Sequence, residues 1–154
     1  MLIRLTVKDY VLIDLIELDV DAGFTVLTGE TGAGKSIILG AISLILGGRS
    51  DAGSIRAGAS RSDIVAEFDI SKLPHVYSFL DEADLGVDDC VLRRVIDTAG
   101  RSRAWINGVP VTVKQLRTLL LHQWIALSNP NSEDYAKITG YLKISISVAC
   151  TGDE

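Results

Sequence analysis

Eight consecutive residues, Gly29-Glu30-Thr31-Gly32-Ala33-Gly34-Lys35-Ser36, spell G-x-x-x-x-G-K-[ST], the spacing of a phosphate-binding P-loop. Each position has a chemical reason. Glycines let the backbone curl until successive N–H groups converge on an anion. Lys35 is a mobile point charge for the β- and γ-phosphates, and Ser36 offers a hydroxyl oxygen to Mg²⁺. These eight residues are the candidate site for a nucleoside triphosphate, with Ser36 as the candidate metal contact.

Such a loop works only between a strand and a helix, and both flanks have the right pattern. Phe24-Thr25-Val26-Leu27 is a β-prone run leading in. Ile37, Ile38, Ala41, Leu44 and Ile45 follow at helical spacing, and Gly47-Gly48 closes the helix as a left-handed cap. Upstream, Ile3, Leu5 and Val7 alternate with polar residues, as do Ile16, Leu18 and Val20. Period two predicts half-exposed antiparallel strands, joined through Asp9 to Asp14. Ile64, Ala66, Phe68 and Ile70 predict a third, after an aperiodic surface loop from Arg49 to Ser62.

Farther on the sequence reads as a meander. Val91–Ile96 and Arg103–Ile106 are strands around the turn Thr98-Ala99-Gly100, and Asn107-Gly108 is the dipeptide of a type I′ turn. Thr112 and Gln115 form a T-x-x-Q capping box for a helix bearing Leu116, Leu119 and Leu120. The first 120 residues thus predict an α/β (α+β) protein with a mixed sheet around one P-loop helix. Beyond Leu121, Ser128-Asn129-Pro130-Asn131-Ser132 signals a loop and Tyr141–Val148 a further strand, so residues 121–154 read as a separate tail that stops mid-structure.

The 154 residues suffice for about one domain, and 47% hydrophobic against 23% charged residues is a globular balance. A formal charge of −5 gives no whole-chain signal for nucleic acid or anionic membrane. Locally, Arg93, Arg94, Arg101, Arg103, Lys114 and Arg117 face one acid, Asp97, just after an acidic cluster (Asp81, Glu82, Asp84, Asp88, Asp89) that reads as solvated surface. Cys90 and Cys150 lack metal-ligand spacing. No signal peptide or membrane span is legible, so no membrane partner is expected and the cytoplasm is the expected compartment.

Together the motifs resemble the N-terminal half of the ATPase head of the RecN family, bacterial DNA-repair proteins of the SMC/ABC-type ATPase superfamily. The likeness rests on the opening Leu5–Ile13, on Gly23–Ser36, on Leu46-Gly47-Gly48-Arg49, on Leu92–Ile96 and on Gly100–Thr112, in that order. It implies a P-loop head with an antiparallel β subdomain, with Gly29 through Ser36 holding ATP and Mg²⁺. It implies recombinational repair of DNA double-strand breaks near the nucleoid, and a second head, or the C-terminal half of the same head, closing over the nucleotide. Arg49 and the hairpin arginines fall where such heads can meet DNA or the partner's nucleotide. Gln123 is the candidate Q-loop metal contact.

The departures set further expectations. No signature motif and no Walker B strand are legible, and Asp153-Glu154 follows Gly152 rather than four apolar residues, so hydrolysis by this chain alone should be poor. Residues 124–154 are similar, over a short stretch, to a ferlin-type C2 segment, which would make the chain a fusion or a mis-assembled reading frame; the alternative is a divergent tail on a truncated head. Two alternatives stay open: an ABC-transporter nucleotide-binding subunit, and a non-catalytic module built on the C2-like tail.

Overall fold

Residue alternation builds the sheet. The computed structural model describes residues 2–19 and 32–125, with side chains for all of these except 32–35 and 120–125. Within it, β1 (Leu2–Tyr10), β2 (Ile13–Asp19), β3 (Arg61–Phe68), β4 (Cys90–Asp97), β5 (Ser102–Ile106) and β6 (Val109–Val111) form one antiparallel sheet in the order β2-β1-β3-β4-β5-β6. Register sets Leu5 and Val7 opposite Ala66 and Ile64, then Leu92 and Arg94, then Ile106 and Ala104. This row of alternate residues is buried. The intervening residues, among them Lys8, Arg61, Asp63, Arg93, Arg103 and Trp105, share the opposite face.

Three helices cover the buried face. Helix α1 (Gly32–Ile45) packs on β1, β3 and β4 through Ile38, Ala41, Leu44 and Ile45. Helix α3 (Val113–Ile125) buries Leu116 and Leu119 and touches β5, while α2 (Pro74–Glu82) buries Val76 and Leu80 and leans on α3. Each fully buried Leu or Ile contributes about 1.5–3 kcal/mol, so one apolar stripe per helix is enough to hold a two-layer domain.

Several sequence expectations hold in detail. Asn107 and Gly108 both have positive φ, 49° and 80°, as a type I′ turn requires. The capping box forms: the Thr112 N–H donates to Gln115 Oε1 at 2.9 Å, and the Gln115 N–H donates to Thr112 Oγ1 at 3.2 Å. All five carboxylates of the acidic cluster are exposed.

Others need correction. The β1–β2 connection is not Asp9–Asp14 but only Val11-Leu12, because Asp9 and Val11 adopt left-handed conformations (φ 52° each) that tighten the turn. These are held from outside: the Val11 N–H donates to the Ser54 carbonyl at 2.7 Å and the Arg56 N–H to the Asp9 carbonyl at 3.0 Å. The 49–62 segment is therefore more than a surface loop. It carries a 3₁₀ turn, Ala52–Ser54, whose Asp51 carboxylate accepts the Gly53 N–H, and it bridges to Tyr10 at Ile55. Helix α2 was not foreseen at all, and β3 ends at Phe68, before Ile70. The P-loop strand 24–27 and the tail strand 141–148 lie outside the described residues; the described sheet is antiparallel throughout.

The sheet's two edges differ. At the edges of the described sheet, β2 presents seven residues, Leu15 among them exposed, whereas β6 has three residues, the middle one Pro110.

Asn107 ties the hairpin to the α2–β4 connection. Its Oδ1 accepts the Val91 N–H at 2.7 Å, and its Nδ2 donates to the Gly86 and Asp89 carbonyls at 3.1 and 2.6 Å. Asn107→Ala should lower the stability by about 2 kcal/mol, because it strands a half-buried N–H and removes a residue type tolerant of positive φ. Urea unfolding followed by circular dichroism checks this; an unchanged midpoint would show that the side chain carries none of the turn.

Candidate nucleotide site

Helix α1 begins at Gly32, so Gly32, Ala33, Gly34 and Lys35 form its first turn and Ser36 opens the second, exposed. The backbone of this stretch is described but the side chains of 32–35 are not. Gly29, Glu30 and Thr31 lie outside the described residues. A helix start presents N–H groups without intrahelical acceptors at the positive end of the macrodipole, and no acidic residue in the first turn competes for them. An anionic phosphate chain is the ligand such an end can hold. Gln123 falls in the last turn of α3, and only its place on that helix is described.

The other end of α1 is built as carefully. Gly47 is left-handed at φ 85°; its N–H donates to the Leu44 carbonyl at 3.0 Å, and the Gly48 N–H donates to the Ser43 carbonyl at 2.8 Å. This is the double hydrogen bond of a Schellman cap, as the Gly47-Gly48 pair predicts. Two arginines complete it. Arg94 of β4, only 3% exposed, donates from Nη1 to the Leu44 and Gly48 carbonyls at 2.6 and 2.7 Å, and from Nε to Ser102 Oγ at 2.8 Å. Arg117 of α3 donates from Nε to the Gly47 carbonyl at 2.8 Å. Burial, and secondarily the nearby Arg117 charge, draws the Arg94 pKa below the usual arginine value. Sequence reasoning missed this pair. The signal was available, since Arg94 falls between Leu92 and Ile96 on the inward beat of β4.

The remaining basic residues divide. Arg93 forms a bidentate pair with Asp63 and lies 5.3 Å from the centre of the Trp105 ring. The Asp63 hydrogen bond raises the Arg93 pKa. Arg101 pairs with Asp97 at 2.8 Å. Lys8, Arg61 and Arg103 are exposed on the open sheet face, and none of them joins an ion pair among the described residues. Arg49 is exposed just beyond the α1 cap rather than part of it. Cys90 is buried and its thiol is pushed up to about 12 by desolvation, which leaves it inert. Among the described residues no cluster of His, Cys, Asp or Glu could hold a metal ion, and no helix is long and apolar enough to cross a membrane.

A profile of the AAA domain family matches residues 4–137, and the chain belongs to that family. Over 123 residues, 79% of this chain, the sequence is 46% identical to DNA repair protein RecN of Xylella fastidiosa. That stretch is 22% of the relative, so the chain spans about a fifth of the length of the curated protein it matches. The backbone superposes with a TM-score of 0.68 on the Smc head domain of Pyrococcus yayanosii, solved with a coiled coil and joint, at 25% identity over 92% of this chain and 29% of that one. A chain from a study of ATP-driven dimerization and DNA-stimulated activation of SMC ATPases gives a TM-score of 0.67 at 24% identity, covering 92% of this chain and 90% of that one. The resemblance to the N-terminal part of RecN, and the SMC-type head fold that it implies, are borne out.

The seating of α1 on the sheet depends on a close approach at its middle. A Cβ added to Gly40 would stand 2.7 Å from the Tyr10 hydroxyl oxygen, with the ring carbons no nearer than 3.6 Å. Gly40→Ala should therefore destabilise the protein, while Gly40→Ala combined with Tyr10→Phe should recover the loss and gain up to about 1 kcal/mol from helix propensity. Thermal melts of the two variants and of Tyr10→Phe alone check it; a double variant no more stable than the single Gly40→Ala would place the strain elsewhere.

Proposed function

We propose that this chain is the ATP-binding N-terminal half of an SMC-like ATPase head of the RecN type, acting in recombinational repair of DNA double-strand breaks. One observation carries the proposal: the G-x-x-x-x-G-K-[ST] run feeds directly into the N-terminus of α1, the helix seated against the sheet. In this role the backbone N–H groups of Gly29 through Ser36 cradle the ATP phosphates, Lys35 neutralises the β- and γ-phosphates, and Ser36 holds Mg²⁺. Gln123 is the candidate second metal contact. Closure needs a second head or the C-terminal half of the same head, in keeping with the ATP-driven dimerization named for the SMC ATPase of like fold. We assign residues 1–120 to the head's N-terminal half and 121–154 to a tail, with α3 continuing across that boundary to Ile125. The working location is the bacterial cytoplasm, at DNA.

The open sheet face is the surface we assign to DNA. Lys8 and Arg103 lie in one cross-strand row, through Asp63 and Val95, and Arg61 extends this patch at the start of β3. Three cations that join no ion pair among the described residues, about 8–15 Å apart by strand spacing, suit the phosphates of a duplex. Because the helices cover the other face, ATP and DNA would not compete for the same surface.

Three experiments test these assignments. Lys35→Ala should weaken binding of a fluorescent ATP analogue at least about tenfold with unchanged circular dichroism, since the phosphates lose their mobile cation. Phosphate release by the unaltered chain should stay near background, because no residue for orienting water is legible in it. Equal affinity in a folded Lys35→Ala protein would end the P-loop assignment. For DNA, Arg61→Glu with Arg103→Glu should weaken duplex binding and reduce the steepness of its salt dependence by about two phosphate contacts. A salt slope unchanged in fluorescence anisotropy would move DNA to another face.

A further inference from the structure

We infer that Arg94, with Arg117 as its partner from α3, is a positioning residue for the triphosphate: it holds the rear of α1 so that the amides at the front face the phosphates. It presupposes the nucleotide role of the loop proposed above.

Three observations converge on this. First, Arg94 is the most completely engaged polar side chain of the buried face. Its guanidinium joins two carbonyls at the end of α1 to the Ser102 hydroxyl of β5, so one side chain links helix, β4 and β5. Second, Arg117 reaches the carbonyl between those two, Gly47, and the fit is close: a Cβ on Gly47 would stand 2.5 Å from Arg117 Cγ. Helix α3 is thereby latched to α1 by a single hydrogen bond. Third, both cations sit where the macrodipole of α1 is negative, and the positive end of that same helix is the phosphate loop.

The mechanical reason is leverage. A helix of 14 residues is a rod of about 21 Å. Releasing its rear lets the front pivot, and N–H···O bonds weaken steeply beyond about 3.2 Å or off line. A shift of about 1 Å at the loop costs much of the phosphate contact even though no phosphate-binding residue has changed. Lysine cannot replace Arg94, because a single ammonium on a shorter side chain does not reproduce the guanidinium fork that meets carbonyls and hydroxyl together. Arg117 makes one bond among the described residues, so lysine can replace it.

The test measures ATP affinity of the folded chain by titration with a fluorescent analogue, at a temperature where circular dichroism shows every variant folded. Arg94→Lys should raise the Kd about fivefold or more, Ser102→Ala and Arg117→Ala each about two- to threefold, and Arg117→Lys should restore the unaltered value. A loss of stability alone leaves the Kd of a folded protein unmoved and gives no rescue by Arg117→Lys. If Arg94→Lys does not fold, Ser102→Ala and Arg117→Ala carry the test. Unaltered affinity in the folded variants, while Lys35→Ala abolishes binding, overturns this inference and leaves the P-loop assignment standing. Binding by the unaltered chain that is insensitive to Lys35→Ala overturns both.

Discussion

A guanidinium taken out of water must have its donors answered, and in this fold that requirement falls on Arg94. Leaving such a charge buried without partners costs several kcal/mol, more than most single contacts in a domain contribute. Its partners come from three separate elements: the end of α1, the turn after it, and β5. None of them can move alone without stranding the charge. The crossing of α1 over the sheet, the pairing of β4 with β5 and the docking of α3 beside the α1 cap are therefore not independent features. They are one arrangement seen from three sides.

The arrangement separates two surfaces by function. On the helix side, the proposed phosphate site belongs to the front of α1. On the opposite side, side chains are mostly polar, and the bidentate Arg93–Asp63 pair under Trp105 stiffens the centre of an otherwise open sheet. A sheet only one residue thick stands between them. Because alternate residues of the same strands serve the two faces, Arg94 and Arg93 are chain neighbours with unrelated roles, one bracing the helix and the other pairing across the solvent face.

Much of this was legible because it depends on local rules. Period-two alternation announced β1, β2 and β3; Asn107-Gly108 announced its turn; Thr112 and Gln115 announced the start of α3; Gly47 announced the end of α1. What escaped is what depends on distant partners. Helix α2 buries only Val76 and Leu80, one turn apart, and the aromatic and acidic residues around them give no wider stripe to detect. Asp9 and Val11 take left-handed conformations, one that aspartate tolerates and β-branched valine does not favour, and the 54–56 segment supplies their hydrogen bonds. Arg94 sits in a basic run that reads as surface; its place between Leu92 and Ile96 marked the inward beat, but its charge argued the other way until the strand register showed the partners that answer it. Of the site itself, the motif named the loop but could not reveal what steadies the helix behind it.

The unlike edges of the sheet carry one more consequence. Strand β6 is three residues long, its central Pro110 has no N–H to give, and Thr112 immediately begins a helix cap, so that side offers almost no ladder to a newcomer. Strand β2 is more than twice as long and holds no proline. Among the described residues, then, the ladder open to a further strand lies along β2 and not along β6.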